Sequence, residues 1–345
     1  MRVKGGRLDI LIVKHGALGD VVRTSWLLPG LHDRFGPATR VDWLTAPGAA
    51  DLLRFNPFVE RVLTTATRLR PRYGWVLSLD DEQHAIEAAS SVNCERLSGA
   101  LLRDGRHDYT EDVAPWFDMG LLSRLGKTRA DAIKVENTAS HSALFGSMLS
   151  VPITHATFFN SSSREARWKS ALRRGSDGAV FGINPFAGGR WPAKALPASA
   201  LSELLQHLLG DPALGVGRIA LFSEERARAE ALLAGFPARL ASRIVVPDTS
   251  ESTLELAAAI RALDYLVTTD SLALHLAVAQ SVPSLSFYAP TSAAEIETFG
   301  TGVKLLSTAP DYCSYRGDAD NTSITAARLL PLLQEHWARC RPRQV

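Results

Sequence analysis

Short β-branched, apolar runs alternate with longer helical patterns along this chain, pause once, and then start again. Few folds tolerate that rhythm. A strand covered on both faces reads as a nearly continuous apolar run, and parallel neighbours need a helical crossover between them. Residues 8–14 (LDILIVK), 40–45 (RVDWLT) and 74–79 (GWVLSL) read as strands of a first set, with helices expected at about 20–35 and 137–149. Residues 150–178 include the polar run NSSSREARWKSALRRGSDG, which reads as a linker with a peripheral helix. Strands then resume at 179–184, 218–222, 243–246, 265–269 and 284–288. Helices are expected between them at 223–233, 253–262 and 271–280, and a last one at about 325–337. The pattern predicts an α/β protein of two Rossmann-like domains facing a cleft, one over residues 1–160 and one over 161–345. The last helix is expected to pack back on the N-terminal domain.

Several function classes are set aside by composition. The formal net charge of +2 is divided evenly between the halves, so no strong field points to nucleic acid. Cys94, Cys313 and Cys340 lie far apart without a CxxC pair, which argues against a zinc site, an iron–sulfur cluster or a disulfide framework. The apolar run near the start is too short for a signal peptide and is broken by Asp9, and no window is long enough to span a bilayer. A cytoplasmic protein is expected, with a peripheral contact to the inner membrane left open. Arg68, Arg70 and Arg72 form one local basic cluster, which reads either as a solvated loop or as a contact for anionic groups on an acceptor or membrane.

In open α/β sheets, ligands bind beyond the carboxyl ends of the strands, so the loops there are the places to look for chemistry. The first such loop is KHGALGD at 14–20. Its glycines permit a tight turn ahead of a helix N-terminus, although it is neither a dinucleotide fingerprint nor a P-loop. Asp20 there either caps the following helix or accepts a proton from a hydroxyl nucleophile. The second loop is NPFAGGRWPAKALP at 184–197, where Arg190 and Lys194 supply cations for phosphate oxygens. The third, TTDSLALH at 268–275, offers Asp270 or Ser271 as a cap and His275 as either a core histidine or a site residue. The fourth is FYAPT at 287–291.

Taken together, in order and spacing, these segments resemble the ADP-heptose:lipopolysaccharide heptosyltransferase family, glycosyltransferase family nine. The similarity runs from about residue 8 to 333. GALGDVVRT follows the family's S-L-G-D-V-hydrophobic-H-T signature, and VDWLTAPGAADLLRFNPFVERV its second strand and NP-x-V-x-x-V. NPFAGGRWPAKALP is similar to the family's PGA…PAK-R-W-P loop. DSLALHLAVAQSVPSLSFYAPTS follows D-[ST]-G-x-x-H-L-A-A-x-x-G-V-P-x-x-x-L-F-G-P-T. The chain departs from the pattern at Leu272, where the family has Gly, at Ser281 and Ala289, and at His15, where small or hydroxyl residues are commoner.

The resemblance implies a GT-B architecture and inverting, metal-independent transfer of a sugar, heptose from ADP-heptose, onto a saccharide or glycolipid acceptor. No cofactor, metal or nucleic acid is implied. By position, Asp20 would be the general base and Lys194 would hold the diphosphate and steady the leaving charge. Gly19, Ala187, Gly188, Arg190, Glu224, Asp270, Ser271, Leu272 and His275 would line the donor. Arg70, Arg96 and Arg103 are candidates for anionic groups of the acceptor. Another nucleotide sugar or acceptor, a nucleotide-sugar epimerase, and a non-catalytic scaffold kept in view by Leu272 are the alternatives.

Overall fold

A computed structural model describes residues 7–188, 191–223 and 225–341. The chain divides into two compact units: residues 1–159 with 294–297, and residues 160–293 with 298–345.

In the first unit, six strands are arranged in one sheet: β1 (Asp9–Val13), β2 (Arg40–Leu44), β3 (Arg61–Leu63), β4 (Tyr73–Ser78), β5 (Cys94–Arg103) and β6 (Arg106–Tyr109). Their spatial order is β3-β2-β1-β4-β5-β6, parallel except for the antiparallel β5–β6 edge. This is the doubly wound order in which the chain reverses direction across the sheet between its first and fourth strands. Ile10, Leu11, Ile12 and Val13 are completely buried, as expected for a strand with helices on both faces. One exception to the apolar core is Asp42 in β2, fully buried yet surrounded by donors. Arg70 Nε lies 2.8 Å from one of its oxygens, Arg61 Nε 3.0 Å from the other, and the Tyr73 hydroxyl donates at 2.8 Å. Gly99 in β5 has φ +127°, and a side-chain carbon there would meet the Ser78 carbonyl oxygen at 1.9 Å, so only glycine fits between β4 and β5.

The second unit repeats the plan. Its strands are β7 (Ala179–Asn184), β8 (Val216–Leu221), β9 (Ile244–Val245), β10 (Tyr265–Thr269), β11 (Ser284–Tyr288) and β12 (Gly302–Leu306). They are ordered β12-β11-β10-β7-β8-β9, the same doubly wound arrangement read from the other edge. Phe181 stacks on Tyr265 at 5.2 Å between ring centroids, and Trp337 meets Phe181 edge-on at 4.9 Å. Trp337 belongs to the final helix, Ala326–Cys340. That helix completes the core of the second unit, where Leu329, Leu333 and Trp337 join the same apolar cluster as Phe181 and Tyr265. The Ser-rich stretch is likewise more than a linker. Helix Ser162–Arg173 delivers Arg164 Nε and Trp168 Nε1 to the buried Glu255 at 2.7 and 2.6 Å, tying it to helix Thr253–Arg261. Cys94, Cys313 and Cys340 are not in disulfides.

Candidate functional site

In each unit a polar cluster sits at the carboxyl ends of the two strands between which the winding reverses, the position where such sheets bind ligands. In the first unit these are β1 and β4. Lys14 and His15 follow β1, and Asp80 follows β4. The Asp80 carboxylate is buried and accepts from the His15 backbone N–H at 2.7 Å, while Lys14 Nζ lies 3.5 Å away. Its other oxygen accepts from the Glu82 N–H at 3.0 Å. Burial opposes the charge, but Lys14 and these backbone donors outweigh it and hold the Asp80 pKa below the usual carboxylate range.

Asp20 does not cap a helix. Helix Leu18–Ser25 begins two residues earlier, with Ala17 at the cap position and no side-chain capping bond. Asp20 therefore lies in the first turn, where a carboxylate complements the helix dipole. Arg23 Nη2 is 2.8 Å from one oxygen and Lys14 Nζ 4.0 Å from the other, and a third of the side chain remains exposed. Gly19 sits in the same turn. The single helix expected at 20–35 is two, broken at Trp26 before Leu27–Phe35.

In the second unit the reversal falls between β7 and β10. Asp270 directly follows β10 and is the hub. It accepts from Lys194 Nζ at 2.8 Å and from the Thr291 hydroxyl at 2.8 Å, with His275 Nε2 at 3.9 Å. Lys194 also donates to the Asp270 carbonyl at 3.0 Å. Burial pushes the Asp270 carboxyl up, yet Lys194, His275 and the Thr291 hydroxyl prevail and bring it down to about 2, so an ion pair with Lys194 is held at neutral pH. Asn184 at the end of β7 donates its amide to the hydroxyls of Thr268 and Ser271, each at 3.0 Å. Ser271 is the residue before helix Leu272–Ala279 and gives that helix no side-chain cap. His275 is buried in the helix, and Leu272, half-buried, occupies its first position. The loop carrying Lys194 is fixed from the C-terminal side, since Asn321 Nδ2 donates to the Ala195 carbonyl at 2.7 Å.

Of the expected donor residues, Lys194, Asp270, Ser271, Leu272 and His275 thus converge, and Ala187 and Gly188 lie on the loop after β7. Arg190 and Glu224 fall outside the described residues. The acceptor arginines are all engaged within the first unit. Arg70 directs its guanidinium to buried Asp42 and to Glu60 at 3.0 Å. Arg96 pairs with Asp112 at 2.7 Å and lies over the Trp75 ring, and Arg103 pairs with Asp108 at 2.7 Å from a more exposed position. Motif reading missed Asp80, and it did not single out Thr291 or Asn184 within their loops. The signal for Asp80 was its place just after a strand end.

Solved structures share the architecture. A family 9 glycosyltransferase from Veillonella parvula DSM 2008 is similar at TM-score 0.72 and 13% identity, covering 96% of this chain and 97% of that one. E. coli ADP-heptose lps heptosyltransferase II is similar at 0.66 and 15%, covering 96% and 99%. E. coli heptosyltransferase WaaC with ADP is similar at 0.62 and 18%, covering 95% and 100%. No curated protein matches the sequence. Two doubly wound sheets in one chain, shared with these structures, are the GT-B architecture. Residues 121–320, more than half of the chain, match glycosyltransferase family 9 (heptosyltransferase), and the chain belongs to that family.

Proposed function

We propose that this glycosyltransferase moves heptose from ADP-heptose onto a saccharide hydroxyl in the synthesis of a lipopolysaccharide core or related surface glycan, with inversion and without a metal at the diphosphate. The observation that carries the reading is the Lys194–Asp270 cluster at the reversal point of the second sheet. A lysine ammonium has three donors. Two are directed to Asp270, and the third would meet a diphosphate oxygen, with the N-terminus of helix Leu272–Ala279 adding its dipole. Fixed donors of this kind stabilise the charge that grows on a leaving diphosphate, the task a metal performs elsewhere. Asp20 would take the proton from the acceptor oxygen as that oxygen bonds to the anomeric carbon. The bond from that carbon to the diphosphate breaks on the opposite side, and ADP departs as the anion. Arg96 and Arg103 remain the candidates for anionic acceptor groups. Among the described residues no helix is long and apolar enough to cross a membrane. In this reading a glycolipid acceptor is met at the surface of the inner membrane, from the cytoplasm.

The ADP preference draws on the likeness to WaaC, which was solved with ADP. It is tested by thermal shift with ADP, UDP, GDP and CDP, with and without magnesium. A nucleotide at about 100 times its dissociation constant stabilises the fold by roughly 2.7 kcal/mol. ADP alone should shift the transition, equally with and without magnesium, and Lys194→Ala should shrink the shift. A preference for another nucleotide would keep the transferase and replace the donor. A shift that requires magnesium would end the metal-free reading.

A further inference from the structure

His15 takes no part in the chemistry above, yet its surroundings are unusual. Its side chain is buried beside β1, and Nε2 is enclosed without a hydrogen-bond partner among the described residues. Its other ring nitrogen, Nδ1, faces His84 Nε2 at 2.8 Å, nitrogen to nitrogen. The same His84 nitrogen lies 3.4 Å from Glu82 Oε2. The ligating atoms of His15, Glu82 and His84 all fall within 4.8 Å of one another. One N–H proton on His84 Nε2 satisfies a single direction and leaves the other contact without a donor. A cation among the three atoms satisfies all of them.

We propose that His15, Glu82 and His84 form a binding site for one divalent transition-metal cation of the zinc class. Two imidazoles and a carboxylate are the ligand set such ions favour over magnesium or calcium, which prefer oxygen. The three atoms are drawn together by the fold. His15 is anchored because its backbone N–H donates to buried Asp80, and Asp80 also receives the Glu82 N–H that starts helix Gln83–Ser90. One carboxylate thus sets the separation of both ligand-bearing segments. Three protein ligands leave a tetrahedral ion one position for water or a ligand oxygen. The site belongs to the first unit and is distinct from the magnesium-independent diphosphate chemistry proposed for Lys194, so either proposal stands if the other fails.

Equilibrium dialysis of the full, tag-free chain against Zn2+, with Co2+ as a visible-absorption probe, tests the site. One ion should bind per chain, and the cobalt spectrum should have the intensity of four-coordinate nitrogen–oxygen ligation. His84 and Glu82 are exposed, so His84→Ala and Glu82→Gln should fold with an unchanged circular dichroism spectrum. Each should weaken Zn2+ binding at least tenfold. His107→Ala, an exposed histidine on β6, should leave binding unaltered. Equal affinity in the wild type and His84→Ala, or a six-coordinate cobalt spectrum that survives the substitution, would overturn the proposal and leave the histidines as a proton-sharing pair.

Discussion

Asp20 is held by Arg23 at 2.8 Å on one oxygen and faces Lys14 at 4.0 Å on the other. An asparagine there keeps the size and one acceptor oxygen but cannot take a proton. Asp20→Asn should therefore bind ADP as the wild type does and lose about 10²–10⁴-fold in turnover. Single-turnover rates beside an ADP titration make the comparison, and a variant with wild-type turnover would remove Asp20 from the base role. How far such residues were readable depends on what advertises them. Lys194, Asp270 and His275 stood out as candidates because they lie in segments of recognisable spacing after strand ends. Asp80 was not: a lone carboxylate after a strand looks like any turn residue until Lys14 and the His15 N–H are seen to close on it. The capping role offered for Asp20 failed for a local reason, since the helix starts at Leu18 and leaves Asp20 inside its first turn.

At the scale of elements, β10 and β11 were read to the residue because both are buried on both faces and leave unbroken apolar runs. β5 and β6 were missed. β5 (CERLSGALLR) mixes charges, a glycine and apolar residues, and it ends the parallel region with one antiparallel partner, so no single period survives. β2 also carries an aspartate that alternation alone would place on a wet face. Asp42 is instead buried under Arg61, Arg70 and Tyr73. Burial pushes the Asp42 carboxyl up, but the hydrogen bonds from both arginines and Tyr73 dominate and keep it ionised. Removing one partner of such a group strands the others. Asp42→Asn should cost about 3 kcal/mol, at the low end for a buried pair because Arg61 still reaches water. Arg70→Ala should lower the unfolding midpoint in urea while leaving the acceptor KM of the folded enzyme unchanged. A raised KM with normal stability would return Arg70 to the acceptor site.

Across the whole molecule, the division into two α/β units was legible from the restart of the strand pattern after the polar stretch at 150–178. What sequence could not give was ownership of the connecting pieces. Residues 294–297 belong with the first unit, where the Glu295 carbonyl accepts from the His141 N–H at 2.9 Å. The final helix belongs to the second, where Trp337 packs edge-on against the stacked Phe181 and Tyr265, a contact that no local pattern announces. If donor binding is confined to the second unit, hydrogen exchange should record it. ADP should slow amides at 184–194 and 270–275 and leave those of β1, β2 and β4 unchanged. Protection appearing first in the first unit would place the nucleotide there instead.

The ion pair between Lys194 and Asp270 also bears on how the enzyme lets go. An ammonium already matched by a carboxylate 2.8 Å away would grip a diphosphate less firmly than a solitary cation, and would keep that partner when the spent nucleotide departs. The resting protein is then never left with a bare buried charge, whose desolvation would otherwise favour keeping the product bound. On the proposed role of Lys194, a cation that keeps its carboxylate partner throughout the cycle would counter inhibition by the departing nucleotide.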